Sequence, residues 1–391
     1  MIDYSKVISS EIQNIKPSGI RKFFDLAESM EGVISLGVGE PDFLTPWHIR
    51  QAGIESLDKG RTRYTSNAGL LQLRKEICDY YERNYHLKYS PETEALVTVG
   101  GSEAIDLFCR CVVNPGDEVI IPEPSFVCYD PIVRMCGGTP VPLRTTVEDK
   151  FKLNPKALKE AITDKTKALV MPFPNNPTGA VMRSEDLKSV AEILRGTDIL
   201  ILSDEIYSAL TYGEHSHVSI AELPGMKERT VVVNGFSKTF SMTGWRLGYA
   251  LGPEPIIKNM IKLHQFAIMS APTTSQYAAI KALKDGEADT VKMRFEYDMR
   301  RRFLVNGFNK IGLECFEPEG AFYTFPCIKS TGMTSDEFCE KLLREKKVAV
   351  VPGNAFGESG EGYIRVSYCY SIAHIKTALS RIESFLRENG K

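Results

Sequence analysis

The segment that follows the apolar run VVVNG carries a lysine and an arginine whose spacing suits cofactor chemistry. Lys238 comes directly after this predicted strand, where partial desolvation favours the neutral amine that attacks a carbonyl carbon. Arg246 follows eight residues later, and its planar guanidinium is suited to a phosphate. Most loop lysines are simply solvated, so a basic surface loop is the alternative. The residues that accompany the segment must decide between the two.

A carboxylate and a tyrosine follow another predicted strand. Asp204 ends the run ILILSD, at the carboxyl end of a strand, where open α/β sheets bind their ligands. A protonated pyridine nitrogen would give this carboxylate a partner, and the ion pair would hold the ring as an electron sink. Tyr207 can then donate its hydroxyl to a phenolic oxygen of the ring. Taken alone, Asp204 is explained equally well as the N-cap of a helix that follows the strand.

A glycine-rich junction precedes these segments. Gly100, Gly101, Ser102 and Glu103 lie between the predicted strand ALVTV and a predicted helix. Backbone N–H groups and a hydroxyl at a helix N-terminus bind phosphate through their geometry and the helix dipole. Turns also use glycine pairs for backbone reasons alone, so this junction is weak evidence by itself.

Three further side chains can complete a cofactor site. Phe126 can lie flat on a ring, although an ordinary core phenylalanine is the better interpretation without the other elements. Asn176, in the loop NNPTG, can reach both a ring oxygen and a substrate carboxylate. Arg365 lies inside the predicted strand YIRVSYC, where a charge needs a partner, and an α-carboxylate is a natural bidentate one.

Short β-branched runs alternate with helical patterns from about residue 95, as expected for a mainly parallel sheet covered by helices on both faces. Several runs are apolar at consecutive positions, which is typical of strands buried on both sides. The predicted strands are ALVTVG, EVIIPE, KALVMPF, ILILSD, TVVVNG and LGYAL. The predicted helices between them cover residues 102–112, 125–136, 154–162 and 184–195.

The pattern changes after about residue 253 to long helices and a strand-rich piece, which predicts a second, smaller α+β domain. We expect a large cofactor-binding domain over residues 46–285, and a small domain made of residues 1–45 and 286–391. The later helices are predicted at 254–267, 273–284, 286–309 and 371–388. The later strands are predicted in LECFEPEGAFYTFPC, VAVVPG and YIRVSYC.

Composition excludes several classes of protein. A net charge of -2 provides no basic field for nucleic acid, and no apolar stretch reaches the length of a membrane span. The N-terminal residues lack the pattern of a secretory signal, so we expect a cytoplasmic protein. The nine cysteines form no C-x-x-C pair and are predicted to be reduced thiols. We expect no metal site, because His215 and His217 lack other ligands at suitable spacing and are predicted to lie in a surface loop.

Taken in order, these segments resemble the class I aminotransferases of fold-type I, which depend on pyridoxal phosphate. The resemblance is strongest to the aspartate, aromatic and alanine-type branch, and it runs nearly end to end. The segments that carry it are PSGIRKFFDLA, SLGVGEPDF, RYTSNAGLLQLR, VTVGGSEAI, NPGDEVIIPEPSF, PNNPTG, SDEIY, SKTFSMTGWRLGY, PEGAFY and YIRVS.

The resemblance implies a role for each candidate residue. Lys238 would be the Schiff-base lysine, Asp204 the partner of the pyridine nitrogen, and Tyr207 the donor to the phenolic oxygen. The implied cofactor-binding residues also include Gly101, Ser102, Glu103, Phe126, Asn176, Ser237 and Arg246. Asn176, Arg365 and the backbone of Gly39 would bind the substrate. Such enzymes are usually homodimers, and Tyr64 would reach the phosphate in the neighbouring subunit.

Two positions depart from the family pattern. The ring-stacking position, commonly tyrosine or tryptophan, is Phe126, so stacking survives without a polar edge. The phosphate-binding serine found in some relatives three residues before the lysine is Gly235 here. Ser237 is a substitute for it.

The implied reaction is a ping-pong transfer of an amino group from an L-amino acid to a 2-oxo acid such as 2-oxoglutarate. A β-lyase on the same fold is an alternative that would release pyruvate and ammonia. An aminotransferase-like transcription regulator is a second alternative, but the motifs begin near residue 17 and leave no room before them for a helix-turn-helix. We expect neither nucleic-acid nor membrane partners.

An apolar or aromatic amino donor is predicted. No arginine occupies a family position that clearly supplies a second cation for a dicarboxylate. The segment PSGIRKFF, which approaches the substrate in the family, offers Ile20 and nearby phenylalanines.

Overall fold

The computed structural model describes residues 2–15, 17, 19–20, 30–214 and 216–390. Twelve strands lie in this part of the chain. They are β1 Ile34–Ser35, β2 Ala95–Thr98, β3 Glu118–Glu123, β4 Thr139–Arg144, β5 Thr166–Met171, β6 Leu200–Asp204, β7 Thr230–Gly235, β8 Gly248–Leu251, β9 Tyr323–Thr324, β10 Val348–Ala349, β11 Val351–Pro352 and β12 Ile364–Ser367.

Fourteen α-helices lie in the same described residues. They are α1 Tyr4–Val7, α2 Ser10–Asn14, α3 Trp47–Asp58, α4 Leu71–Tyr85, α5 Gly101–Val112, α6 Tyr129–Met135, α7 Pro155–Ala161, α8 Ser184–Leu194, α9 Phe236–Thr239, α10 Glu254–Ala267, α11 Thr273–Asp285, α12 Glu287–Lys310, α13 Ser335–Lys346 and α14 Ile372–Glu388. No helix among the described residues is long and apolar enough to cross a bilayer.

The main sheet has seven strands in the order β2-β8-β7-β6-β5-β3-β4. Strand β8 runs antiparallel to β2 and β7, and the other four strand pairs are parallel, so the predicted mainly parallel sheet is confirmed. Strands β6 and β7 are buried along their whole length or nearly so, as their continuous apolar runs require. Their carboxyl ends carry Asp204 and, shortly after Gly235, Lys238. The sheet therefore brings the two predicted groups to one edge.

The edge strand β4 escaped the sequence prediction. It contains Pro140 and Pro142, and proline removes the N–H donors that a central strand needs. Because β4 pairs only with β3, at the edge of the sheet, it tolerates both prolines. The segment LECFEPEGAFYTFPC was predicted to contain more strand than the structure shows. Only Tyr323–Thr324 forms a strand there, and isolated β-bridges replace the rest.

A separate hydrophobic cluster lies under the C-terminal part of the chain. It combines Leu36 with residues from α12, α13 and α14 and the strands β9, β10 and β12. Tyr207 and Leu210, which follow β6, also belong to it, so the cluster borders the edge that carries Asp204. The division into a large domain of residues 46–285 and a small domain of residues 1–45 and 286–391 stays a prediction.

Candidate active site

A cavity of about 320 Å³ lies at the carboxyl ends of the parallel strands. Its volume is that of a site for a small molecule. All the predicted site residues except Glu103 and Tyr64 line it. Those that do are Gly39, Gly101, Ser102, Phe126, Asn176, Asp204, Tyr207, Ser237, Lys238, Arg246 and Arg365.

Lys238 lies in the short helix α9, directly after β7. Its Nζ donates to the carbonyl oxygen of Gly39 at 2.7 Å, and it has no carboxylate partner among the described residues. Burial lowers the pKa of Lys238 to about 8, because the protein interior disfavours the ammonium ion. The amine is therefore poised to become a neutral nucleophile near physiological pH.

Asp204 ends β6 and is buried. One carboxylate oxygen accepts a hydrogen bond from the Tyr129 hydroxyl at 2.7 Å, and the other accepts from the Ile206 N–H at 3.2 Å. Burial raises the pKa of Asp204, while these two hydrogen bonds oppose the rise. No cation pairs with this carboxylate among the described residues, and a protonated ring nitrogen in the cavity would supply one.

The turn before α5 forms one end of the cavity. Gly100 is the N-cap of the helix and has a φ of +83°, a conformation that favours glycine. A Cβ on Gly100 would lie 2.8 Å from Nη2 of Arg246, so only glycine lets the guanidinium approach the helix N-terminus this closely. Ser102 and Ser237 also line the cavity. This set of N–H groups, hydroxyls and one guanidinium suits a phosphate.

Arg365 lies on β12 and is buried. Its Nη1 donates to Oδ1 of Asn176 at 3.0 Å and its Nη2 to the carbonyl oxygen of Gly37 at 2.6 Å. The Nε is buried without a hydrogen-bond partner among the described residues. An orphaned buried guanidinium N–H indicates a missing anion. The α-carboxylate of an amino acid fits this need.

Two tyrosines in the cavity wall were not predicted. Tyr129 bonds to Asp204, and the Tyr323 hydroxyl lies 2.9 Å from that of Tyr207. The Tyr323 ring also packs against the guanidinium of Arg365, 4.5 Å from ring centre to Cζ. Tyr323 belongs to the segment PEGAFY, which carries part of the family resemblance but predicts no role for this residue. Tyr129 lies three residues beyond Phe126, within the predicted helix 125–136, and the sequence pattern there does not mark it as a partner of Asp204.

Glu103, which was predicted to bind the cofactor, does not line the cavity, and its carboxylate faces away from it. Its carboxylate accepts from the Val99 N–H and lies 2.7 Å from Nδ1 of His264. A carboxylate pointed at a phosphate would repel it, so this orientation has a physical reason. Tyr64 is 82% exposed and does not line the cavity of its own chain.

The metal and loop predictions concern two histidines. His215 lies outside the described residues. His217 is buried 3.2 Å from the buried carboxylate of Glu205 and packs edge-on against Tyr85, so its prediction as a surface-loop residue was wrong. No group of metal-ligating residues occurs in the described part of the chain.

Comparison with known proteins shows the family of this chain. Residues 31–382 match the family model for class I and II aminotransferases. The chain is 46% identical over 383 residues to an aspartate aminotransferase of Pyrococcus abyssi, with 97% of this chain and 98% of the relative covered. It is 44% identical over 383 residues to aromatic-amino-acid aminotransferase 2 of Thermococcus litoralis, with the same shares covered.

A solved structure shows the same fold. The aromatic aminotransferase of Pyrococcus horikoshii superimposes with a TM-score of 0.90 at 46% identity, covering 94% of this chain and 99% of that one. The predicted fold class, cofactor and type of reaction are thereby confirmed. This chain belongs to the class I and II aminotransferases, and it is a pyridoxal-phosphate-dependent enzyme that transfers amino groups.

Proposed function

We propose that the enzyme transfers the amino group of an L-amino acid with an apolar or aromatic side chain to 2-oxoglutarate by a ping-pong mechanism. The observation that carries this proposal is the set of cations in the cavity wall. The cationic side chains among the described lining residues are Lys238, Arg246 and Arg365. We assign these three to the amine chemistry, the phosphate and the α-carboxylate, so none of them remains for a second carboxylate.

The apolar part of the cavity wall supports the same donor class. Ile20, Phe126 and Ile206 line the cavity, and burying an aromatic side chain is worth roughly 1.5 to 3 kcal/mol. Residues 21–24 of the predicted substrate segment lie outside the described residues. The named relatives include both aspartate and aromatic aminotransferases, so the donor must be measured.

Each residue has a proposed task in this reaction. Pyridoxal phosphate supplies, when bound, an aldehyde that condenses with amines and a ring that withdraws electrons. Lys238 holds the cofactor in the resting enzyme and, once released, moves a proton with its Nζ. Asp204 keeps the ring nitrogen protonated, and Tyr207 donates to the phenolic oxygen.

The remaining residues bind and orient. Phe126 packs on the ring face, and the Nδ2 of Asn176 is left to donate, since its Oδ1 already accepts from Arg365. Arg365 and the Gly39 backbone hold the α-carboxylate. The phosphate contacts are assigned to Gly101, Ser102, Ser237 and Arg246.

A homodimer completes the proposal. Four large side chains are exposed in the single chain: Tyr64, Phe266, Ile268 and Met269. The side chain of Asn67 donates to the Met269 carbonyl oxygen at 2.8 Å, which connects the segment around Tyr64 to the segment around Met269. Exposed apolar side chains grouped in this way mark an interaction surface. A second copy would cover them and let Tyr64 reach the phosphate of the neighbouring site. The cytoplasmic location stays a prediction.

Complementation between two defective variants tests the shared site. Tyr64→Ala and Lys238→Ala chains are mixed under conditions that exchange subunits. If Tyr64 acts across the interface, mixed dimers contain one intact site and activity exceeds that of either variant. Subunit exchange is verified by mass. If the mixture is then no more active than the two variants measured separately, the proposed role of Tyr64 across the interface is wrong.

A donor panel tests the substrate. The holoenzyme is mixed with phenylalanine, tyrosine, leucine, alanine or aspartate, and the change in cofactor absorbance gives the half-reaction rate without any acceptor. We expect phenylalanine or another apolar donor to lead by about tenfold, from the free energy of side-chain burial. A clear lead for aspartate would contradict the proposal. Release of pyruvate together with ammonia beyond one equivalent per active site, without acceptor, would indicate β-elimination, because the half-reaction of alanine yields at most one equivalent of pyruvate.

A further inference from the structure

We propose that Glu103 and His264 are positioning residues that hold the turn Gly100–Ser102 in the shape that binds phosphate. The inference rests on the phosphate role proposed above for this turn. Neither residue lines the cavity, so each would act through the turn and not by contact with the cofactor.

Glu103 connects the turn to the body of the protein. It is the third residue of α5, and its Oε2 accepts a hydrogen bond from the N–H of Val99, which precedes the N-cap Gly100. Its Oε1 lies 2.7 Å from Nδ1 of His264. One carboxylate therefore fixes the chain on the entry side of the turn and is itself fixed by a second helix.

His264 anchors this carboxylate from the last turn of α10. The histidine is fully buried, and the side chain of Glu103 is 11% exposed. A buried carboxylate without a donor would be costly, and one free to rotate toward the cavity would repel a phosphate. The bond to Nδ1 meets both requirements, because it satisfies the carboxylate and keeps it facing away.

The turn itself leaves little room for adjustment. Gly100 takes a positive φ, and the Thr98 hydroxyl donates to its carbonyl oxygen at 2.9 Å. Below the turn, a Cβ on Gly248 would lie 2.6 Å from the carbonyl carbon of Gly100, so strand β8 packs directly against it. Releasing Val99 from Glu103 would remove the side-chain contact that fixes the entry to the turn, and so misdirect its N–H groups.

The experiment separates phosphate binding from cofactor binding in general. Apoenzyme is titrated with pyridoxal phosphate and with pyridoxal, which lacks the phosphate, and both dissociation constants are measured from protein fluorescence. We expect Glu103→Gln and His264→Phe to weaken pyridoxal phosphate binding by about tenfold, the scale of one lost charge-assisted hydrogen bond, and pyridoxal binding by less than about twofold. His264→Gln, which keeps a donor, should recover part of the loss.

Matched controls define the outcomes. His48→Gln removes a partly exposed histidine–aspartate pair elsewhere and should change neither constant. Ser102→Ala and Arg246→Ala should lower the preference for the phosphorylated form directly. If these two do so while the Glu103 and His264 variants do not, the positioning role is wrong. If none of the four changes the preference, the phosphate assignment in the proposed function fails instead.

Equal weakening of both ligands by the Glu103 and His264 variants would also overturn the inference, because it would show a general structural role. The double variant Glu103→Gln/His264→Phe adds a second criterion. It should lose no more phosphate preference than either single variant, since the two side chains act as one unit. If His264→Phe does not fold, Glu103→Gln and Glu103→Asp are compared in the same titrations, and unchanged phosphate preference in both refutes the role.

Discussion

The hydroxyl oxygens of Tyr207 and Tyr323 lie 2.9 Å apart, and the ring of Tyr323 packs on the guanidinium of Arg365. Tyr323 thus contacts both the group assigned to the cofactor's phenolic oxygen and the group assigned to the substrate carboxylate. The two halves of the site are physically connected through one side chain.

Tyr323→Phe should therefore affect both halves modestly. The hydrogen bond to Tyr207 is lost while the ring stays, so we expect a decrease in kcat/KM of about 2- to 10-fold, from the usual value of one neutral hydrogen bond. Tyr207→Phe should cost more. Steady-state kinetics with one donor checks the order, and a larger loss in the Tyr323 variant would contradict the proposed roles.

Tyr129→Phe should weaken the ion pair proposed for Asp204. The Tyr129 hydroxyl donates to the carboxylate at 2.7 Å and opposes the rise in the Asp204 pKa that burial causes. Without it, the carboxylate is a poorer partner for a cation, and kcat should fall by about tenfold, the value of a charge-assisted hydrogen bond. Tyr80→Phe, outside the cavity, is the control. An unchanged kcat would show that Tyr129 has no influence on Asp204.

Arg365→Lys should raise KM for every amino donor. A lysine cannot reproduce the planar, bidentate contact with a carboxylate, and loss of a charged hydrogen bond costs roughly 1.5 to 3 kcal/mol, or about 10- to 100-fold in KM. The exposed Arg302→Lys serves as the control. If KM rises for one donor and not for others, Arg365 contacts the side chain of the donor instead of the shared α-carboxylate.

Loading of the apoenzyme should depend on pH through Lys238. Burial lowers the pKa of this amine to about 8, so it is protonated and unreactive below that value and neutral above it. The rate of covalent cofactor attachment, followed by absorbance, should rise through pH 8 and then level off. A rate that rises only near pH 10.5, the ordinary lysine value, would show that Lys238 is not desolvated in solution.

The sequence predicted side chains that the structure brings to one cavity, because two of them follow strands with long continuous apolar runs. Asp204 after ILIL and Lys238 after VVVNG needed only the rule that parallel strands end at one edge. Arg365 was found because a charge inside a strand is unusual.

Contacts that depend on tertiary geometry could not be predicted in the same way. Tyr129 and Tyr323 bond to other side chains of the wall, and nothing in their local pattern distinguishes them from core tyrosines. The place of Glu103 beside Ser102 predicts a contact with the cofactor. The histidine that turns it away lies 161 residues along the chain.

The central claim is that Lys238 holds the cofactor, and borohydride reduction tests it most directly. Reduction of the holoenzyme makes the Schiff base permanent, and peptide mass mapping then identifies the modified residue. We predict that the peptide containing Lys238 carries the cofactor and that a Lys238→Ala enzyme treated identically carries none. Modification of a different lysine, or of no lysine, would contradict the assignment.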